Sequence, residues 1–386
     1  MRALWLLPMC LIVTTILSGC DRPTQQETEM WQPKPQTLQF SYHWQRFNEQ
    51  LIDAQFRVID RSSDALITTS EGQVYSLLFS LFANQPEHFE KLLAWLENNL
   101  ADGDLSKQLP AWQWGYNAPT DSWEVLDTNS ATDVDILLIY ALYHAADVWQ
   151  KPAYRATAEA LTQHLMQQTV TFRNGDLLLL PAPIGFNKAD RITFNPSYAP
   201  LFVLDGLYRL SNDARWLALA QAQQRFMLKH NPSGVVADWL TVSDNGEVLN
   251  AEEAEGSYDA IRSYYWFALD PKQRLLEHYL TMAHESQSRS QPPEILDWLT
   301  GDASGEANIG FSALLIPYFK KTAPLAYRHA LQRVETTPVT DYAEHYYDHV
   351  LILFGLAYQQ CFTVNADGTL NLFWASGDMN KACYAN

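Results

Sequence analysis

Four residues able to do acid–base chemistry stand at matching places along the 386-residue chain: Glu71 in TSEGQVY, Asp133 in NSATDVD, Tyr198 in NPSY and Asp259 in GSYDAIR. Each falls within the first turn or two of an apolar stretch with helical spacing. Taken singly, such a carboxylate is ordinary. Glu71 follows Thr69 and Ser70, a capping sequence, and faces the positive end of its own helix dipole. Taken together the four form a pattern, because a fold that gathers these helix starts at one rim sets carboxylates across a cleft. Cleavage of a glycosidic bond needs such a pair: one protonates the leaving oxygen while the other activates water or attacks the anomeric carbon.

The two roles demand opposite charge states. A helix N-terminus lowers a carboxyl pKa, whereas a general acid must hold its proton near neutrality, and burial and a negative neighbour push in that direction. Glu71 is therefore expected to be the acid, kept protonated by burial and by Asp133. Asp259, beside Tyr258 and one turn before Arg262, is expected to stay ionised as the base.

The elements that must position these residues come in pairs. Apolar periodicity predicts helices over 70–84 with 86–100, 131–149 with 152–170, 195–211 with 213–231, 258–269 with 270–287, and 311–321 with 324–336. A helix over 345–360 has no partner after it, and one near 43–58 has none before it; joined, they complete six hairpins. First members such as DVDILLIYALYHAADVW are apolar around most of their circumference, and second members such as PEHFEKLLAWLENNL are one-sided, so the first belong inside and the second outside. This predicts an all-α, closed (α/α)6 barrel in one domain. An open solenoid fits less well, because the pairs share no sequence repeat. Strand candidates are few, DLLLLPA being one.

A net charge of -18 argues against a phosphate-tracking surface, so nucleic acid is not an expected partner. The 13 Trp, 19 Tyr and 17 Phe serve either a large core or a cleft lined with flat rings for sugar faces. Residues 1–20, MRALWLLPMCLIVTTILSGC, read as a secretory signal rather than a membrane span. LSGC resembles a bacterial lipoprotein box with Cys20 as the lipidated residue, an ordinary cleavage site being the alternative, and Asp21 resembles the signal that retains lipoproteins in the inner membrane. The expected location is periplasmic, with the membrane touched only through the lipid. Residues 21–40 then form a polar tether, and 41–386 the catalytic domain. Cys361 and Cys383 either pair in an oxidising compartment or remain two thiols.

Read in order, TSEGQVYSLLFSLFAN, LPAWQWG, VLDTNSATDVD, LLLLPAPIGF, NPSY, ADWL, GSYDAIRSYYW, GFSALLIPYF and YYDHVLILFG resemble glycoside hydrolase family 8, and within it the periplasmic endoglucanases of bacterial cellulose synthase operons. The resemblance runs from about residue 40 to 360. The family's aspartate motif stands as Ala131-Thr132-Asp133-Val134-Asp135, with Val134 in place of a small residue and Ile139 where Ala is common; both aspartates and Trp149 are retained. The resemblance implies an inverting endo-β-1,4-glucanase acting on cellulose without metal or cofactor, with the cellulose synthase complex as a candidate neighbour. It implies Glu71 as general acid, Asp259 as general base, Asp133 as a sugar-positioning aspartate and Tyr198 near the water. Inversion requires the two catalytic carboxyls to stand roughly 6.5–9.5 Å apart.

Trp112 and Trp114 are candidate stacking platforms, with core packing as the alternative for each. Tyr75, Arg262 and Tyr346 are cleft candidates weighed evenly against structural roles, and Asp127 and Asn129 are candidates for bracing the loop before Asp133. His345 and His349 have the one-turn spacing of a metal-ligand pair but lack an intervening glutamate and a third ligand, so a structural role is favoured. Two rival readings stay open: the same site acting on xylan, mixed-linkage glucan or chitosan, and a membrane-tethered glucan-binding factor.

Overall fold

The computed structural model describes residues 35–386 except 174, 338, 340, 342–344, 378–382 and 385–386. The signal segment, most of the tether and the lipidation candidate Cys20 lie outside the described residues. Helices follow in the order α1 (Phe40–Leu51), α2 (Ser70–Phe82), α3 (Pro86–Leu100), α4 (Thr132–Val148), α5 (Pro152–Gln168), α6 (Leu201–Ser211), α7 (Ala214–Lys229), α8 (Ile261–Leu269), α9 (Thr281–Arg289), α10 (Ile309–Leu314), α11 (Ile316–Thr322), α12 (Pro324–Thr336) and α13 (Tyr346–Ala357).

The inner ring runs α2–α4–α6–α8–α10–α13, and α13 packs back on α2 and closes it. Outside, α3 lies on α2, α5 on α4, α7 on α6, α12 on α10 and α11, and α1 on α13. Joining the first predicted helix to the last is therefore what completes the barrel. Residue character accounts for the two layers. Every residue of α4 from Thr132 to Ala146 is buried, whereas α3 buries only Phe89, Leu92, Leu93, Trp95, Leu96 and Leu100. Each fully buried Leu or Ile contributes about 1.5–3 kcal/mol. Most of the aromatic excess is core: Phe354 of α13 meets Phe79 at 4.8 Å and Tyr75 at 5.0 Å where α13 packs on α2. Gly355 lets α13 approach the backbone of α10 so closely that a Cβ there would strike the Ala313 carbonyl.

The fold departs from expectation at several helix bounds: α1 ends at Leu51 rather than near 58, and α6 begins at Leu201 and α8 at Ile261, so Tyr198 and Asp259 stand just ahead of their helices. The predicted helix over 311–321 is broken at Leu315, where Pro317 enters the first turn of α11. Helix α9 starts at Thr281, beyond a short 3-10 turn at Leu276–His278, and lies against α12. Strands are more numerous than expected but short. The ones that matter are β1 (Thr68–Thr69), β2 (Gln113–Asn117), β3 (Ser122–Asp127), β4 (Val170–Arg173), β5 (Asp176–Leu179), β6 (Arg191–Phe194) and β7 (Leu240–Ser243). They form the antiparallel ladders β1–β2–β3, β4–β5 and β6–β7. Cys361 and Cys383 are joined as a disulfide, which resolves the choice left open by the sequence.

Candidate active site

Glu71 owes its position to two local devices. The Thr69 hydroxyl accepts from the Gly72 amide at 3.2 Å and caps α2, which puts Glu71 in the first turn. The β1–β2 ladder pairs Thr69 with Gln113 and continues as a bond from the Ser70 amide to the Trp112 carbonyl at 2.8 Å. Trp112 therefore arrives beside the carboxyl, and its indole N–H donates to Glu71 Oε1 at 3.0 Å. Tyr346 of α13 sets its hydroxyl against the same turn, where only a glycine at 72 leaves room for it.

Asp133 opens α4 and is 4 % exposed. Its Oδ2 accepts from Arg262 Nη1 at 2.8 Å, while Oδ1 has no hydrogen-bond partner among the described residues. Asp135, two residues on, is rotated about 200° around the helix and stays outside this ionic cluster. It is 1 % exposed, and burial pushes its carboxyl well above the usual carboxylate range.

Arg262 is the hub. Nη1 donates to Tyr75 Oη at 2.9 Å as well as to Asp133, and Nη2 donates to Asp259 Oδ1 at 2.5 Å and to Ser197 Oγ at 3.1 Å. Its guanidinium also sits 5.5 Å from the ring centre of Tyr198, in the 3-10 turn Pro196–Tyr198 ahead of α6. One buried cation thus ties together the starts of α2, α4, α6 and α8, as the sequence pattern required.

Asp259 has a second donor, the Trp239 indole N–H, 3.1 Å from Oδ2. Its turn is held from outside: Asp238 Oδ1 accepts the backbone amides of Ser257 at 2.9 Å, Asp259 at 3.1 Å and Ala260 at 2.6 Å. That carboxylate stands in for the side-chain cap that α8 lacks. Burial lifts Asp238 to about 6 against the pull of those three amides. Sequence reasoning missed Asp238, Trp239 and Ser197 as site residues. Their only signal was membership in ADWL and NPSY, which the resemblance had singled out.

The electrostatics separate the carboxyls. Burial first, and then the Asp133 charge, raise Glu71 to about 7, overcoming its own backbone amide, Arg262 and Trp112, which act in the opposite sense. Burial raises Asp133 too, but Arg262 opposes it directly. The proton therefore resides on Glu71, and the ion pairs with Arg262 fall to Asp133 and Asp259.

Of the aromatic candidates, Trp112 keeps 37 % of its surface exposed at the rim. Trp114 is partly buried and packed: Trp123 stacks on it at 5.2 Å, the Arg57 guanidinium lies 4.4 Å from its ring centre and Trp95 meets it edge-on at 5.6 Å. A register shift between Gln113 and Trp114 separates the two rings. Asp127 accepts the Asn129 amide at 2.8 Å, and the Asn129 side chain exchanges bonds with the backbone of Ile184, bracing the loop before Asp133. His345 meets Asp348 at 3.2 Å, and Asp348 in turn accepts the Gly310 amide, so this pair joins α13 to α10.

Known proteins share this chain's sequence and fold. Residues 25–361 match the model of the family described as glycosyl hydrolases family 8. An endoglucanase of Salmonella typhi is 38% identical over 325 residues, covering 82% of this chain and 86% of that protein. An endoglucanase of Escherichia coli O157:H7 is 36% identical over 347 residues, covering 88% and 92%. The crystal structure of an endo-1,4-D-glucanase from Vibrio fischeri ES114 superposes with a TM-score of 0.78 at 31% identity, covering 86% of this chain and 99% of that one. The chain belongs to glycosyl hydrolase family 8.

Proposed function

We propose that this chain cleaves internal bonds of β-1,4-glucan with inversion of configuration, Glu71 acting as the general acid and Asp259 as the general base. The observation that carries the reading is the arrangement around Arg262: two carboxylates paired to one buried guanidinium, and a third carboxyl beside them raised to about 7. With Glu71 protonated and Asp133, Asp259 and Arg262 charged, the cluster carries one net negative charge. Such a field favours the oxocarbenium-like transition state of glycoside hydrolysis. Asp133, fixed by Arg262, positions the sugar, and Tyr198 stands near the attacking water. Trp112 offers the free ring for a glucosyl face, while Trp114 supports the wall behind it. Tyr75 and Arg262 set the carboxylates in place, and Tyr346 braces the turn that carries Glu71.

The substrate assignment rests on the endoglucanase relatives. Reducing-end release from carboxymethylcellulose, mixed-linkage glucan, xylan and chitosan tests it. The fastest release is expected from carboxymethylcellulose; faster release from xylan or chitosan would reassign the sugar. Glucan binding with no hydrolysis of any of them would establish the binding-factor reading.

The reading extends to location: Cys20 carries lipid and tethers the enzyme to the periplasmic face of the inner membrane, beside a cellulose-exporting synthase complex. The LSGC sequence and the polar segment 21–40 support it. Acyl mass on Cys20 of the mature protein is the expected result, and a mature N-terminus beyond Cys20 refutes the tether.

A further inference from the structure

A cavity of about 390 Å³ opens between α7 and the β6–β7 ladder. That volume falls among those of small-molecule sites, about 300–1,000 Å³. Its walls are apolar, with Ile192, Phe194 and Val242 from the two strands and Phe226 from the helix. Its mouth is basic, although the whole chain carries -18. Two of the basic groups are neutralised, Arg173 by Asp244 and Arg225 by Asp176. Lys229, exposed at the end of α7, lines the same mouth and makes no ion pair among the described residues. Its charge reaches the adjacent His230, which burial and then Lys229 hold below its ordinary pKa.

We infer that this cavity binds a small amphiphilic monoanion, an alkyl or aryl carboxylate, with its apolar body against Phe194 and Phe226 and its head group at Lys229. The apolar walls suit an alkyl or aryl body, and with Arg173 and Arg225 each paired to a carboxylate the uncompensated charge among the lining residues is that of Lys229. The occupant would rest on a ladder that leads to the chemistry. Strand β6 runs on into Asn195 and Ser197, which accepts from Arg262, and β7 follows directly on Trp239, which donates to Asp259.

Isothermal titration of the mature protein with octanoate, kept below its micellar range, tests the inference independently of any hydrolysis. Ten heavy atoms at ordinary ligand efficiency give an expected Kd of about 0.2–6 mM. Lys229→Glu, a surface change, is expected to weaken binding by at least about fivefold, and Val242→Trp to abolish it by filling the cavity. Octylammonium, of the same length and opposite charge, should not bind. Circular dichroism confirms that both variants are folded; if Val242→Trp is not, Lys229→Glu and octylammonium still decide. Absence of saturation, equal binding of octylammonium, or unchanged affinity in folded variants overturns the inference.

Discussion

Replacing Glu71 with Gln separates the cost of keeping a proton on the acid from the catalysis that proton performs. The glutamine can still accept from the Trp112 indole through its amide oxygen, so the local geometry is preserved while the titration is removed. In the fold, the Glu71 carboxyl is raised from 4.5 to about 7. The folded protein therefore holds a proton that the unfolded chain releases, and wild-type stability falls as pH rises from about 4.5 to about 7, then levels off. At about 1.4 kcal/mol per pKa unit the full penalty is about 3 kcal/mol. Because Glu71 is only partly buried, solvent screening reduces it to about 2–3 kcal/mol. Urea unfolding of wild type and Glu71→Gln at pH 5 and pH 8, with the disulfide intact, measures it. The variant should gain about 2 kcal/mol on wild type between the two pH values while losing about 10²–10⁴-fold in kcat. A stability difference that is the same at both pH values would refute the assignment of a protonated, buried acid, however large the loss of activity.

Other perturbations test the surroundings of the acid. Arg262→Met leaves Asp133 and Asp259 without their shared cation; a loss of about 3–5 kcal/mol in unfolding free energy is expected, with kcat falling alongside, and a stable, active variant contradicts the hub role. Trp112→Phe keeps a flat ring but removes the donor that lowers Glu71, so the high-pH limb of kcat/KM should move upward; a downward move contradicts it. Replacing Cys361 and Cys383 by Ser releases a link spanning 22 residues of sequence. The expected loss is about 3 kcal/mol by denaturant unfolding, from the entropy of closing such a loop.

The barrel was legible because inner and outer helices answer to different solvents. A helix such as α4, enclosed on all sides, must be apolar nearly all round, and its neighbour α5 must not. Glu71, Asp133 and Asp259 were legible for the same reason: a carboxyl at the head of a buried helix is conspicuous. The strands were not, because segments such as Thr68–Thr69 are too short to show alternation, yet that pair brings Trp112 to Glu71. Trp112 and Trp114 look equivalent on paper, and only the register shift between them separates a rim ring from a packed one. Asp238 was invisible as a cap because it serves a helix start some twenty residues further along the chain, across a loop. The reach of Arg262 to Asp259 could be read from their spacing; its bond to Asp133 depends on closure of the ring.

Anomer-resolved proton NMR during hydrolysis of a cello-oligosaccharide tests the central claim, that Glu71 and Asp259 act on opposite sides of the bond with a water between them. The account predicts that the α-anomer of the newly formed reducing end appears first and only later mutarotates, and that Asp259→Asn, folded, forms neither anomer at an appreciable rate. First appearance of the β-anomer, which requires a covalent glycosyl–enzyme intermediate, would contradict it.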